Sequence, residues 1–343
     1  MKAQVIRFSK AGAPDVLELI TTELGDPGPG EACVRQTAVG INFMDVYHRS
    51  GQYPLPVPSG VGVEAAGVVE KTGTGVTGLK VGDRVAYGGS APGAYADFRN
   101  VPADRLVKIP EGISEEVAAS ILMKGMTVEY LLNRCFKVER GMPVLFHAAA
   151  GGVGLIAGQW GKALGAVMIG VAGGPDKCKL AREHGYAHVI DRKREDIVAR
   201  VKEITGGAGV PVVYDSVGRE SFEPSLHSLA PRGYFISFGT TTGAPPPVEA
   251  ATLQKLGSLY FTRPTLVTYT AKRADLEASA AAVFNMLKNG SIKARIDQRY
   301  KLAEAKRAHT ELETGRTYKL AEAKRAHTEL ETGRTTGSSL ILP

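Results

Sequence analysis

Residues 144–166, "VLFHAAAGGVGLIAGQWGKALGA", set Gly151, Gly152 and Gly154 among Ala149, Ala150 and Val153, between a short apolar run and an amphipathic one. Glycines at such a junction permit a tight turn and close approach of the backbone to a ligand. The helix that follows offers free N–H groups and the positive end of its dipole to a pyrophosphate. A strand, a glycine turn and a helix that open a series of βα units point to dinucleotide binding, with Ala150, Gly151, Gly152, Val153 and Gly154 as the contact residues. An NAD-selective site ends its second strand, about 20 residues on, in an Asp or Glu that accepts from the ribose 2′-OH. Here that strand ends "GVAGGPDKCK", with Gly173 and Gly174 at its end and Lys177 just beyond, while the third ends "VIDRKRED" and supplies Arg192. A missing carboxylate and two added cations suit the 2′-phosphate of NADPH, so Gly173, Lys177 and Arg192 are expected at that phosphate. Hydrolytic chemistry has no foothold. There is no GxSxG elbow and no HExxH, the seven histidines are dispersed, and His147 in the first strand of the series is expected to be a buried structural residue.

The elements that must hold these residues alternate. "PVLFHAA", "AVMIGVAG", "AHVID", "VPVVYDSVG" and "GYFISFG" read as strands, with helical segments such as "DKCKLAREHG", "REDIVARVKEITG" and "SFEPSLHSLA" between them. This pattern predicts right-handed βαβ units and a parallel sheet covered on both faces, an α/β Rossmann doubly wound domain over 126–264. Residues 1–125 differ, being rich in Gly, Pro and short alternating runs such as "AQVIRF" and "DRVAYG", the mark of a β-rich domain with many turns. From about Thr265 a long helical segment and the apolar strand "SSLILP" follow. One or two helices cannot form a core alone, so 265–343 is expected to complete the first domain. "GSLYFTRPTL" reads as a strand at the sheet edge, and pairing two such edges predicts a homodimer.

The chain of 343 residues carries a formal charge of +7, but its Lys and Arg alternate with Asp and Glu, as in "RKREDIVARVKE". Such mixing makes a solvated helix face and argues against dedicated nucleic-acid binding. No run approaches the roughly 18 apolar residues of a membrane span, and "MKAQVIRFSKAG" alternates like a strand, so a cytoplasmic protein is expected. Cys33, Cys135 and Cys178 form no CxxC pair and suggest neither a disulfide framework nor a zinc site. One feature stands apart: "YKLAEAKRAHTELETGRT" occupies 300–317 and again, letter for letter, 318–335. A perfect tandem copy of one amphipathic helix has no matching second groove, and the duplicate is expected to be redundant.

With "GINFMD", "GVEAAGVV", "VGDRV", "AAAGGVG" and "YDSVG" in order, the chain resembles the medium-chain dehydrogenase/reductase superfamily and, more narrowly, the zinc-independent quinone oxidoreductase (zeta-crystallin-like) family. The resemblance implies a GroES-like catalytic domain beside the Rossmann domain, NADPH as cofactor and a small-molecule quinone as substrate. Zinc dehydrogenases of that superfamily carry a Cys where this chain has Asn42 and a His where it has Val63, and neither replacement is a zinc ligand. Without a Lewis acid, acceptors that are already electrophilic are favoured, quinones or conjugated enones, which need alignment, exclusion of water and a hydrogen bond to the oxygen that gains charge. The resemblance places that pocket in "NFMDVYHRSGQYP", with Asn42, Tyr47 and Tyr53 as possible donors and Asp45 and Arg49 beside them. It assigns Thr127, Ser216, Phe238 and Gly239 to the cofactor, together with the basic residue before "TTGSS". That residue is Arg334, which the duplication repeats as Arg316. An NADPH-dependent enone or alkenal reductase remains an alternative, as does a nucleic-acid-binding role.

Overall fold

The computed structural model describes residues 1–314 and 337–343, and the chain divides into two units. Lys124–Asp275 and Asn285–Lys293 form one unit; Met1–Met123, Leu276–Phe284 and Ala294–Pro343 form the other.

In the unit built on Lys124–Asp275, six strands make one sheet in the order His188–Asp191, Val167–Ala172, Pro143–Phe146, Val210–Asp215, Leu229–Ser237, Tyr260–Thr262. Every neighbouring pair is parallel. The central strands are apolar up to the Asp215 that ends one of them, as strands covered on both faces are. Val144, Leu145, Phe146, Val212, Val213 and Tyr214 are all buried. Leu145, Ile169, Val201, Val213, Phe222, Leu226 and Phe235 form a shared core. Strand order reverses between Pro143–Phe146 and Val210–Asp215, and an open α/β sheet presents its ligand crevice at such a switch point. The doubly wound parallel sheet expected from the alternation is therefore observed, and Tyr260–Thr262 takes an edge of it.

The unit that contains the N-terminus is β-rich. A seven-stranded sheet runs Ile296–Lys301, Ser338–Leu342, Glu31–Gly40, Glu64–Thr72, Arg84–Gly88, Val107–Lys108, with Phe98–Pro102 also pairing with Glu31–Gly40. A three-stranded sheet, Glu18–Glu23, Lys2–Phe8 and Ser59–Gly60, accompanies it. Phe8, Val34, Val85, Tyr87, Tyr95, Tyr300, Ala308 and Ile341 belong to one buried cluster, so residues near both chain ends share a core with the middle of this unit. The first copy of the repeated segment contributes the end of strand Ile296–Lys301 and the helix Ala305–Thr314, which buries Ala305, Ala308, His309 and Glu311. Arg316, Arg334 and the second copy, 318–335, lie outside the described residues.

Cys33, Cys135 and Cys178 are free thiols. Among the described residues no helix is long and apolar enough to cross a membrane.

Candidate functional site

In the N-terminal unit, strand Glu31–Gly40 leads through Ile41 and Asn42 into the helix Phe43–Ser50, which Gly51 closes in the left-handed conformation that glycine tolerates best. Asn42 is the residue that precedes the helix, and it is only 8% exposed. Its amide nitrogen Nδ2 donates to Oε2 of Glu64 at 2.9 Å. Glu64 is completely buried at the start of strand Glu64–Thr72, and its Oε1 accepts from the backbone N–H of Met123 at 2.6 Å. A Cβ on Gly40 would overlap both this carboxylate and the carbonyl of Ala119, which explains a glycine there. Glu64 thus settles which end of the Asn42 side chain is nitrogen. One amide hydrogen serves the carboxylate, and the second can serve a substrate oxygen.

Asp45 lies one turn into the helix, fully buried. Its Oδ2 accepts from the Asn42 backbone N–H at 2.8 Å and from the Tyr95 hydroxyl at 3.1 Å. The Tyr95 oxygen in turn lies 3.0 Å from Nε2 of His309. Because the single phenolic proton goes to the carboxylate, Tyr95 is left to accept, which makes His309 the neutral Nε2–H tautomer. Burial and then the neighbouring Arg49 push the His309 imidazole down to about 3, in agreement with a neutral ring. Arg49 is enclosed as well and pairs with Glu313 at 2.7 Å. Asp45 and Arg49 therefore hold the helix from within; Asn42 and Tyr47 are buried too, and of the possible donors Tyr53 is the more open. Tyr53 is half-buried, its ring 5.1 Å from that of Tyr47 and inclined 59° to it, and its backbone N–H donates to the Tyr47 carbonyl. Phe43, 6.4 Å from Tyr47, extends this aromatic surface. Burial lowers the His48 imidazole from its ordinary range, so that beside Tyr53 it is neutral at pH 7.

The other unit holds the residues expected at the cofactor. Ala148 turns with φ 52°, and Gly151 caps the helix Gly152–Leu164 without a side chain, so no side chain of the cap occupies the first-turn N–H groups that an anion would use. A Cβ on Gly154 would overlap the carbonyl oxygens of Ala148 and Ala149, so strand end and helix approach as closely as backbone allows. Ala150 packs beneath with Leu155 and Leu180. At the end of the second strand Gly174 adopts φ 90°, and Lys177 sits on the helix Pro175–Glu183 that follows. Burial and the nearby Arg192 and Lys193 lower the Lys177 ammonium from its ordinary value. Ser216 and Gly239 end neighbouring strands and touch: a Cβ on Gly239 would lie 2.8 Å from Cβ of Ser216. The Phe238 ring stands 5.6 Å from Phe146, and its N–H donates to the Asp215 carbonyl. Thr127 is half-buried on the helix Glu115–Tyr130. His147 is enclosed, with Nε2 3.0 Å from the Ser225 hydroxyl, and burial keeps it neutral, a structural residue as expected.

A glycine turn with no room for a Cβ at Gly154, followed by a cationic cluster at the next strand ends, fits a dinucleotide with an additional phosphate. The donor set does not fit zinc. Asn42 uses its amide nitrogen as a donor to Glu64, Val63 offers no heteroatom, and among the described residues no group of three or more His, Cys, Asp or Glu could hold a metal ion. Glu64, Lys193 and Tyr95 were not foreseen. A lone acid in the apolar run "GVGVEAAGVV" was the available signal for Glu64, since a buried carboxylate requires partners.

Residues 28–111 match the family model of the alcohol dehydrogenase GroES-like domain and residues 152–286 that of zinc-binding dehydrogenases. Fold and site together define a medium-chain dehydrogenase/reductase. A quinone oxidoreductase of Pseudomonas aeruginosa is 46% identical over 99% of this chain and 100% of its own length. The crystal structure of Escherichia coli quinone oxidoreductase complexed with NADPH superposes with a TM-score of 0.92 at 45% identity, covering 99% of this chain and 100% of that one. A 2-haloacrylate reductase from a Burkholderia species is 40% identical over 88% of the chain and 92% of its own length. The chain belongs to the quinone oxidoreductase family.

Proposed function

We propose that the protein is an NADPH-dependent, zinc-free quinone reductase. The observation that carries this reading is the Asn42 amide, which Glu64 orients with one N–H committed and one left to donate, on the same segment as Tyr47 and Tyr53. Ala150, Gly151, Gly152, Val153 and Gly154 hold the pyrophosphate. Gly173, Lys177 and Arg192 hold the 2′-phosphate, Thr127, Ser216, Phe238 and Gly239 line the remainder, and Arg334 is carried over from the resemblance. When bound, NADPH supplies the hydride. The chain's own task is electrostatic: the second Asn42 N–H and the Tyr53 hydroxyl donate to the quinone oxygen that gains negative charge, in a geometry fixed before reaction. Asp45, Tyr47 and Arg49 keep those donors in place, and solvent provides the proton that completes the hydroquinone.

The second reading, reduction of an activated carbon–carbon double bond, is favoured by one observation, the relative named for 2-haloacrylate reduction. An enone or haloacrylate places developing charge on an oxygen in the same way, so the same donors would serve. A panel of quinones, enones and haloacrylates, followed through NADPH absorbance, separates the two: fastest turnover with quinones supports the first, and negligible quinone turnover with steady alkene reduction supports the second. The protein works in the cytoplasm as a homodimer paired through Tyr260–Thr262, an edge strand where Tyr260 is 52% exposed. Sedimentation equilibrium at twice the chain mass is the expected result.

A further inference from the structure

Three cations gather where the second and third parallel strands end. A Cβ on Gly173 would lie 3.4 Å from Nε of Arg192 and 3.6 Å from Cε of Lys193, so both side chains lie over that glycine. Lys177 feels both, for Arg192 and Lys193 add to burial in lowering its ammonium. Among the described residues no carboxylate lies within 4 Å of Lys177 or Lys193, and Arg192 has only Glu220 at 3.6 Å, both of them exposed. Exposed pairs of that kind are worth little, so three cations face the partial relief of one nearby carboxylate, Asp191.

What brings the cations together is Asp191. It is the last residue of strand His188–Asp191, in register with Ala172. A single carboxylate oxygen, Oδ1, accepts from the backbone N–H of Gly174 at 2.8 Å and from that of Lys193 at 3.1 Å. One side chain thus ties the turn that precedes Lys177 to the turn that carries Arg192 and Lys193. Gly174 is held at φ 90°, where only glycine is at ease. The Asp191 carboxyl is kept below the usual carboxylate range, first by the Gly174 N–H, so its charge is directed into backbone rather than toward a ligand.

We propose that Asp191 is a positioning residue that assembles the 2′-phosphate subsite, and that Lys193 is a third cation reading that phosphate. The inference rests on the assignment of NADPH as cofactor. It differs from an NAD-selecting carboxylate in place and in use: such a group ends the second strand and accepts from a ribose hydroxyl, whereas Asp191 ends the third and accepts only from backbone among the described hydrogen bonds.

The test is calorimetric titration with 2′,5′-ADP and 5′-AMP, which differ only in the 2′-phosphate and need no turnover. The parent protein should bind 2′,5′-ADP more tightly. Asp191→Ala should weaken 2′,5′-ADP about tenfold or more and leave 5′-AMP within about twofold, and Asp191→Asn, which keeps the acceptor oxygen, should recover most of the loss. Lys193→Met should weaken 2′,5′-ADP about tenfold and flatten its salt dependence. Equal weakening of both nucleotides by Asp191→Ala, or unchanged 2′,5′-ADP affinity in Lys193→Met, overturns the inference. A parent protein that does not distinguish the two nucleotides overturns the NADPH assignment itself.

Discussion

The glycine turn of one unit and the Asn42 helix of the other present their chemistry differently. Around Gly151–Gly154 the groups on offer are backbone N–H, and the closest approach that shapes them is local, between Gly154 and the carbonyls of Ala148 and Ala149. Around Asn42 the working group is a side chain, and its setting comes from Glu64, Tyr95, Met123, His309 and Glu313, spread across the chain. A site made of local backbone tolerates almost no change in shape. A site made of distant side chains tolerates shape changes but loses function by single deletions of a polar group.

That contrast is broken most sharply at Gly154. Gly154→Val should raise the Kd for NADPH about 1000-fold or more, because the added carbons meet two backbone carbonyls that cannot move aside; fluorescence titration of NADPH would show it, and ordinary binding would mean the turn can relax. Next comes Asn42→Ala, with an expected loss of about 100-fold in kcat/KM for quinone while NADPH affinity stays nearly constant, and Tyr53→Phe should lose about tenfold. If both variants retain full activity, neither group meets the developing charge. Smaller again is the pair Lys177→Ala and Arg192→Ala, each of which should raise the KM for NADPH about tenfold relative to that for NADH. Equal effects on the two cofactors would mean that neither reads the 2′-phosphate.

The smallest effect is expected from the repeat. His309, Glu311 and Glu313, all from the first copy, already make the buried contacts to Tyr95, Tyr300 and Arg49. Deleting residues 318–335 should therefore leave Tm within about 3 °C and activity intact, as differential scanning calorimetry and the quinone assay would record. Insoluble or inactive protein would show that both copies are needed.

The same contrast accounts for what could be read in the sequence. Periodicity and glycine placement revealed the parallel sheet and the glycine turn that opens its first helix, because each depends on neighbours in the chain. Lys177 and Arg192 were expected from the strand ends, and the structure places Arg192 beside Gly173 and Lys177 near Arg192. Lys193 stood next to Arg192 but carried no signal of its own, since a charge in "DRKRED" reads as a solvated helix start. The link from Asp45 through Tyr95 to His309 joins residues more than 200 positions apart, and no local pattern reports which buried hydroxyl meets which carboxylate. Glu64 and Asn42, 22 residues apart, meet because the strand that runs up to Asn42 pairs antiparallel with the strand that Glu64 begins.

Zinc-free quinone reduction is tested on protein treated with a strong chelator and then dialysed. NADPH oxidation is followed with 1,4-benzoquinone, and NADP⁺ reduction is followed separately with ethanol. Rapid quinone-dependent NADPH oxidation unchanged by the chelator is expected, with no reduction of NADP⁺ by ethanol, because Asn42 and Tyr53 can stabilise charge on an electrophilic acceptor but cannot activate a plain alcohol. Quinone activity lost with the chelator and restored by about one zinc ion per chain, or efficient ethanol oxidation, would contradict it.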